Sequence, residues 1–225
     1  MQSIDYNGSN YQLIGPFKQI LTMQDLPIKG PLDDHQLMMA RDFGILVKDG
    51  FIHEVGNYSD LTNFAKLVEA NVIYLEEDYV CLPGFIDSHT HICFEGSRAR
   101  DYALRNTGKT YLEIAASGGG IWDTVTQVRR SSSEKLEASL FKRASRHLID
   151  GITTIEVKSG YGLSVQSELK MLEAIRSVNT KHKVDLVSTC LAAHTLPKDF
   201  DEGHQDYLRQ VEEELLPKLI HRDLT

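Results

Sequence analysis

Leu82-Pro83-Gly84-Phe85-Ile86-Asp87-Ser88-His89-Thr90-His91 runs from a turn into an apolar strand and ends on two histidines. Pro83-Gly84 punctuates the chain, and Phe85 and Ile86 begin the strand. Side chains alternate along a strand with period two, so residues 89 and 91 point the same way, about 7 Å apart along the backbone. Both imidazoles then stand near enough to reach one ion, which makes half of a metal site. The plainer reading is a strand end with two histidines, one of them satisfied by a backbone carbonyl. The surroundings favour the ion: a Pro-Gly entry, Asp87 two positions before the first His, and the polar loop Glu95-Gly96-Ser97-Arg98 just after. Asp87 shares the parity of His89, which suits either an imidazole-orienting contact or a structural hydrogen bond.

Downstream, strands alternate with helices. Ser131 to Glu134 has the pattern of a capping box, and Leu136, Leu140, Ala144 and Leu148 recur at helical spacing until Gly151 ends the run. Ile152 to Lys158 is a β-branched strand. Ser164 opens a helix with Val165, Leu169, Leu172 and Ile175 on one face. Val184 to Ala193 reads as a nearly continuous apolar strand ending at His194, and Leu208, Val211, Leu215 and Leu219 mark a further helix. This alternation means parallel βα units, whose strands are apolar because both faces are covered. After the His-Thr-His strand the text stays polar and loop-like through Asn106-Thr107-Gly108-Lys109 and the triple glycine Gly118 to Gly120. The glycines lack a following Lys-Ser or Lys-Thr, so a flexible turn is expected rather than a phosphate cradle.

Upstream, short alternating runs from Tyr11 to Met23 and from Phe43 to Val55 predict a small β lobe over residues 1–83, with Asp49-Gly50 as a hairpin turn. Leu61 to Ala70 is a short helix before the strand Val72 to Leu75. His53 lies on the hairpin with no second ligand type at useful spacing.

The chain has 225 residues, 41% hydrophobic and 25% charged, which is ordinary for a soluble globular protein. Its net charge of −8 excludes the basic footprint that nucleic acid or an anionic membrane requires. Cys81, Cys93 and Cys190 are too few and too scattered for a disulfide framework or a thiolate zinc site, which fits a reducing cytoplasm. No apolar signal core or basic leader follows Met1, and no run is long enough to span a bilayer.

The His-Thr-His strand resembles the first barrel strand of the metal-dependent amidohydrolase superfamily. Phe94-Glu95-Gly96-Ser97-Arg98, Tyr111 to Ala116 with Gly118 to Ile121, and Glu156-Val157-Lys158-Ser159-Gly160-Tyr161-Gly162-Leu163 followed by Glu168 to Met171 are similar to imidazolonepropionases, from about Phe43 to about Pro217. The resemblance implies an α/β fold: an incomplete TIM-like (β/α) barrel over residues 84–225, about its first three βα units, preceded by a small β-sandwich-like lobe. A complete barrel takes about 250 residues, far more than follow His89. The chain is therefore expected to be the N-terminal portion of such an enzyme.

The implied chemistry is hydrolysis of the imidazolone ring of 4-imidazolone-5-propanoate to N-formimidoyl-L-glutamate, a step of histidine degradation. His89 and His91 would hold one divalent or trivalent metal ion, zinc or iron; the family's other ligands, a His and an Asp, come from strands outside this sequence. Arg98, Tyr161 and His194 would contact the small-molecule substrate, Arg98 through a two-pronged guanidinium contact with its carboxylate. No catalytic acid or base is assigned. Lys158 is expected to snorkel or to be ion-paired. Read without the family, Arg98 is a solvated surface residue, Tyr161 a ring in a glycine loop and His194 a satisfied core histidine. The alternatives to the leading reading are a different cyclic-amide hydrolase or deaminase, and a non-catalytic fragment or binding module. An unfinished barrel leaves an open edge, which invites aggregation or a partner chain and allows a homo-oligomer.

Overall fold

The computed structural model describes residues 10–224, so the stretch read above for a leader, residues 1–9, lies outside it. Two compact units divide between Pro83 and Gly84.

The first unit contains β1 (Tyr11–Phe17), β2 (Gln19–Leu21), β3 (Met39–Ala40), β4 (Phe43–Lys48), β5 (Phe51–Asn57), α1 (Tyr58–Leu67), β6 (Asn71–Tyr74) and β7 (Val80–Cys81). They form a four-stranded sheet in the order β5-β4-β1-β6 and a three-stranded sheet in the order β3-β2-β7. Asp49 and Gly50 both have positive φ, 52° and 85°, the conformation that a two-residue hairpin turn between β4 and β5 demands. Asn57 caps α1 by accepting from the Ser59 amide, and Leu61 and Ala65 pack with Leu13 and Leu46 to close this unit's core.

The second unit contains β8 (Phe85–Thr90), α2 (Ala99–Asn106), α3 (Tyr111–Ala116), α4 (Ile121–Arg130), α5 (Ser133–Ile149), β9 (Ile152–Lys158), α6 (Val165–Asn179), β10 (Asp185–Thr189), α7 (His204–Gln210) and α8 (Leu216–Arg222), the last two joined by a π-helical turn over Val211–Leu215. β8, β9 and β10 are parallel with β9 in the centre. Ile155 and Val157 on β9 are fully buried in one core with Leu136 and Leu140 of α5 and with Leu172 and Ile175 of α6. The opposite side is less covered: Ile86 on β8 is 71% exposed and Val187 on β10 is 53% exposed. Parallel sheets are ordinarily covered on both faces, and this one is covered on one face only within its own unit. Among the described residues no helix is long and apolar enough to cross a membrane.

Three local expectations are corrected. Residues 99–116 hold two helices where loop was expected through the triple glycine. α2 buries none of its residues and so has no apolar stripe to read, while α3 is short and is announced only by the capping box of Thr110 and Glu113. The cap of α5 is Ser132 rather than Ser131: the Ser131 amide still donates to the Gln127 carbonyl and closes α4. The third strand stops at Thr189, and Ala192–His194 form a 3-10 turn. The Leu191 amide donates to Ser159 Oγ at 3.1 Å, which draws the chain off the ladder.

Candidate functional site

Pro83-Gly84 leads directly into β8, and the space for the chain there is tight, because a Cβ on Gly84 would come within 2.4 Å of the Thr153 side chain. β8 pairs irregularly with β9: the register shifts between Phe85 and Ile86 and again between Asp87 and Thr90. Thr90 anchors the irregular end: its hydroxyl donates to the Glu156 carbonyl at 2.6 Å and its amide to the Glu156 carboxylate at 3.2 Å. Asp87 Oδ1 accepts the His89 amide at 3.3 Å, so this carboxylate supports backbone rather than an imidazole. Beyond His91, Arg143 of α5 donates to the carbonyls of Ile92 and Phe94 at 3.0 and 2.7 Å and lies 3.6 Å over the Phe94 ring. The two histidines thus sit on a segment fixed from both ends.

Their ring centroids are 5.5 Å apart. The Tyr161 ring lies 5.8 Å from that of His91. His91 Nδ1 is buried and has no hydrogen-bond partner within the protein. A buried, unpartnered polar atom costs about 1–3 kcal/mol, and an imidazole nitrogen of this kind suits a ligand from outside the chain. Burial, and then the charges of His89, Lys158 and His194, hold the His91 pKa below the ordinary value against the opposing pull of Glu156. A neutral imidazole is the form that binds a metal. Donor type and spacing therefore fit two ligands of one ion. Among the described residues no group of three or more His, Cys, Asp or Glu side chains is gathered to hold one.

Glu156 and Lys158 form an ion pair on β9, in line with the ion-paired alternative for Lys158. Burial pushes the Glu156 carboxyl up, but hydrogen bonds from Lys158, Thr189 and the Thr90 amide outweigh it and hold the group below the usual range. Tyr161 is carried by the Ser159–Leu163 loop after β9. His194 is the last residue of the Ala192–His194 turn, with Nδ1 2.8 Å from the Leu191 carbonyl oxygen, and a Cβ on Gly160 would lie 3.2 Å from its ring.

The structure thus brings together His89, His91 and Tyr161 by ring contact, with His194 beside the Tyr161 loop. Arg98 stands in a second cluster, at the start of α2. Its Nε donates to Thr124 Oγ1 at 2.8 Å and its Nη1 reaches Asp101 at 3.4 Å, while Asp101 also accepts the Gly120 amide at 2.8 Å. This network borders a cavity of 610 Å³ lined by Arg98, Arg105, Lys109 and Tyr111 among others. The contacts described do not join Arg98 to the histidines.

Sequence reasoning passed over Glu168, whose carboxylate organises the Tyr161 loop. Its signal was present: residue 168 shares a helix face with Leu172 and Ile175, and a carboxylate on an apolar face requires partners.

A parallel sheet with helices between its strands, bearing two strand-end histidines, defines the class as a βα-repeat fold. Solved structures agree: the triazine hydrolase of Arthrobacter aurescens superposes with a TM-score of 0.58 at 15% identity, covering 91% of this chain and 42% of that one. A zinc complex of atrazine chlorohydrolase from the same species gives 0.56 at 16% identity, covering 90% and 43%. No family model matches the chain. Among curated proteins, imidazolonepropionase of Brevibacillus brevis is 36% identical over 197 residues, 84% of this chain and 45% of the relative. That of Myxococcus xanthus is 43% identical over 178 residues, 79% and 42%, and that of Streptococcus gordonii 37% identical over 215 residues, 94% and 50%. Over most of its length the chain is similar to imidazolonepropionases. It spans about half the length of the curated relatives it matches.

Proposed function

We propose that this chain supplies part of the active site of a metal-dependent hydrolase that opens the imidazolone ring of 4-imidazolone-5-propanoate to N-formimidoyl-L-glutamate. The observation that carries the reading is the His89–His91 pair, with rings 5.5 Å apart and the buried His91 Nδ1 left without a protein partner. In this reading residues 1–83 are a small β lobe and residues 84–225 the first three βα units of a TIM-like barrel. The exposed sheet residues Ile86 and Val187 support it, since later strands and their helices would cover them.

His89 and His91 hold the ion, zinc or iron, and the zinc complex of the structurally similar chlorohydrolase favours a divalent metal. When bound, the ion supplies a water acidic enough to attack an amide-like carbon at neutral pH. The protein's own part is to bind and orient. Tyr161, over the His91 ring, donates its hydroxyl to the substrate, and His194 contacts it from the adjoining turn. Arg98 holds the propanoate carboxylate, with Asp101 and Thr124 fixing the plane of the guanidinium. The setting is the cytoplasm, and the partner a small molecule.

A second reading, that residues 1–225 alone are not catalytic, is favoured by the absence of a third ligand among the described residues. Both readings are tested together. The chain by itself, supplied with zinc or iron, is expected to leave the imidazolone absorbance unchanged above the uncatalysed rate. A chimera in which it replaces the matching part of the Brevibacillus brevis enzyme is expected to consume the imidazolone, and His89→Ala to abolish this. A folded, metal-loaded chimera without turnover would contradict the hydrolase reading, and turnover by the isolated chain would contradict the second.

A further inference from the structure

Glu168 is a carboxylate with no solvent exposure, on the first turns of α6. Three backbone amides donate to it: Gly160 to Oε2 at 2.9 Å, and Gly162 and Leu163 to Oε1 at 2.8 and 2.7 Å. All three belong to the loop that carries Tyr161. The loop needs such an anchor because its backbone is costly: Gly160 has φ 104°, and Leu163, a branched residue, has φ 48°. It also allows no side chain at Gly162, where a Cβ would come within 2.5 Å of the Glu168 amide nitrogen.

The same loop is gripped from its other side. Arg129 of α4 donates from Nε to the Gly162 carbonyl at 2.7 Å and from Nη2 to the Leu163 carbonyl at 2.8 Å. Arg129 is held in turn by Asp199 and by the Trp122 ring. Lys170, two residues after Glu168, donates to the carbonyls of Val128, Arg129 and Ser131, so α6 also fixes the end of the helix that carries Arg129. At the loop's start the Ser159 amide donates to the Thr189 carbonyl and Ser159 Oγ accepts the Leu191 amide, which couples it to the turn bearing His194. The loop's amides and carbonyls are thus taken up by two oppositely charged side chains, and Tyr161 is the residue at its centre.

We infer that Glu168 is a positioning residue: with Arg129 it clamps the Ser159–Leu163 loop so that the Tyr161 ring is held against His91 and its hydroxyl is presented to the substrate. This rests on the reading of His91 and Tyr161 as the reaction site. Without the clamp, five polar groups of the loop lose partners in a region that excludes water, and the positive-φ residues relax towards ordinary conformations.

The test is Glu168→Gln in the 225-residue chain, read by NMR. The amide nitrogen of Gln is a donor and must face at least one of the donors that Glu168 accepts. Exchange of the Gly160, Gly162 and Leu163 amides is expected to accelerate by about tenfold or more, and the ring-to-ring contact between Tyr161 and His91 to disappear, in a protein that keeps its helical circular dichroism. Persistence of the contact and of the protection would overturn the inference. Should Glu168→Gln fail to fold, Arg129→Gln removes the opposite grip from a partly exposed position; a Tyr161–His91 contact that survives it would overturn the clamp equally. In the chimera, Glu168→Gln is expected to raise KM about as much as Tyr161→Phe does, and an unchanged KM would also refute the positioning role. Failure of the hydrolase reading shows separately, as absence of turnover in the chimera with Glu168 intact.

Discussion

The ring of His91 lies 5.8 Å from that of Tyr161 at an interplanar angle of 49°, although the two residues stand on different strand-to-helix connections. Juxtaposition at one end of a parallel sheet is how this architecture assembles a site from distant sequence, because every strand ends on the same side. The two are also held in place separately. The histidines lie on a segment fixed by Thr90 and Arg143, and Tyr161 on a loop fixed by Glu168 and Arg129.

Arg98→Lys in the chimera is expected to weaken substrate binding by about 1.5–3 kcal/mol, the range of a hydrogen bond to a charged group. Lysine keeps the charge but loses the planar fork, and it cannot reproduce the paired contacts with Thr124 and Asp101. The measurement is KM for the imidazolone substrate. An unchanged value would make Arg98 a structural tie between the post-β8 loop and α4.

Much of this was legible from residues alone, and the failures have physical causes. The Asp49-Gly50 hairpin and the Ser164-capped α6 could be read because turn chemistry and apolar period are local properties. The helices over 99–116 could not, because α2 buries none of its residues and carries no stripe. His89 and His91 announced themselves by type and spacing. The apolar face of α6 signals that Glu168 needs partners, but not which ones, because these are three backbone amides placed only when the Gly160–Leu163 loop folds back over α6.

His182 gives a pH dependence with a definite sign. Its Nδ1 accepts the Val184 amide at 2.9 Å and its Nε2 faces Ser145 Oγ at 3.0 Å, and burial lowers its pKa from the ordinary 6.5. Below 6.5 the unfolded chain takes up a proton that the folded chain resists, so stability is full above that pH and falls as pH drops towards the depressed folded value. In urea unfolding monitored between neutral and mildly acid pH, His182→Asn, which keeps an acceptor for Val184 but cannot be protonated, is expected to lose that slope. An identical slope in both proteins would assign the pH dependence to other groups.

Cys93 should be chemically silent. It is fully buried in the core of the second unit, and burial pushes its thiol up to about 12. Thiolate-selective reagents at neutral pH are expected to modify it only after unfolding, at a rate that follows global stability. Rapid labelling of Cys93 in the native protein, seen by peptide mapping, would mean that the packing between α5 and α6 opens readily.

The most direct measurement on the proposed metal pair is a zinc titration of the 225-residue chain with ¹⁵N-labelled imidazoles. The nitrogen resonances of His89 and His91 are expected to shift together, His91 through a nitrogen that has no proton-sharing partner in the protein, while His53 and His182 stay in place. Binding should be weak, since two ligands leave the ion open to water on several sides, and His89→Ala should remove the His91 response. Shifts confined to other histidines, or a His91 resonance unmoved by zinc, would contradict the assignment of this pair as the metal-holding part of the site.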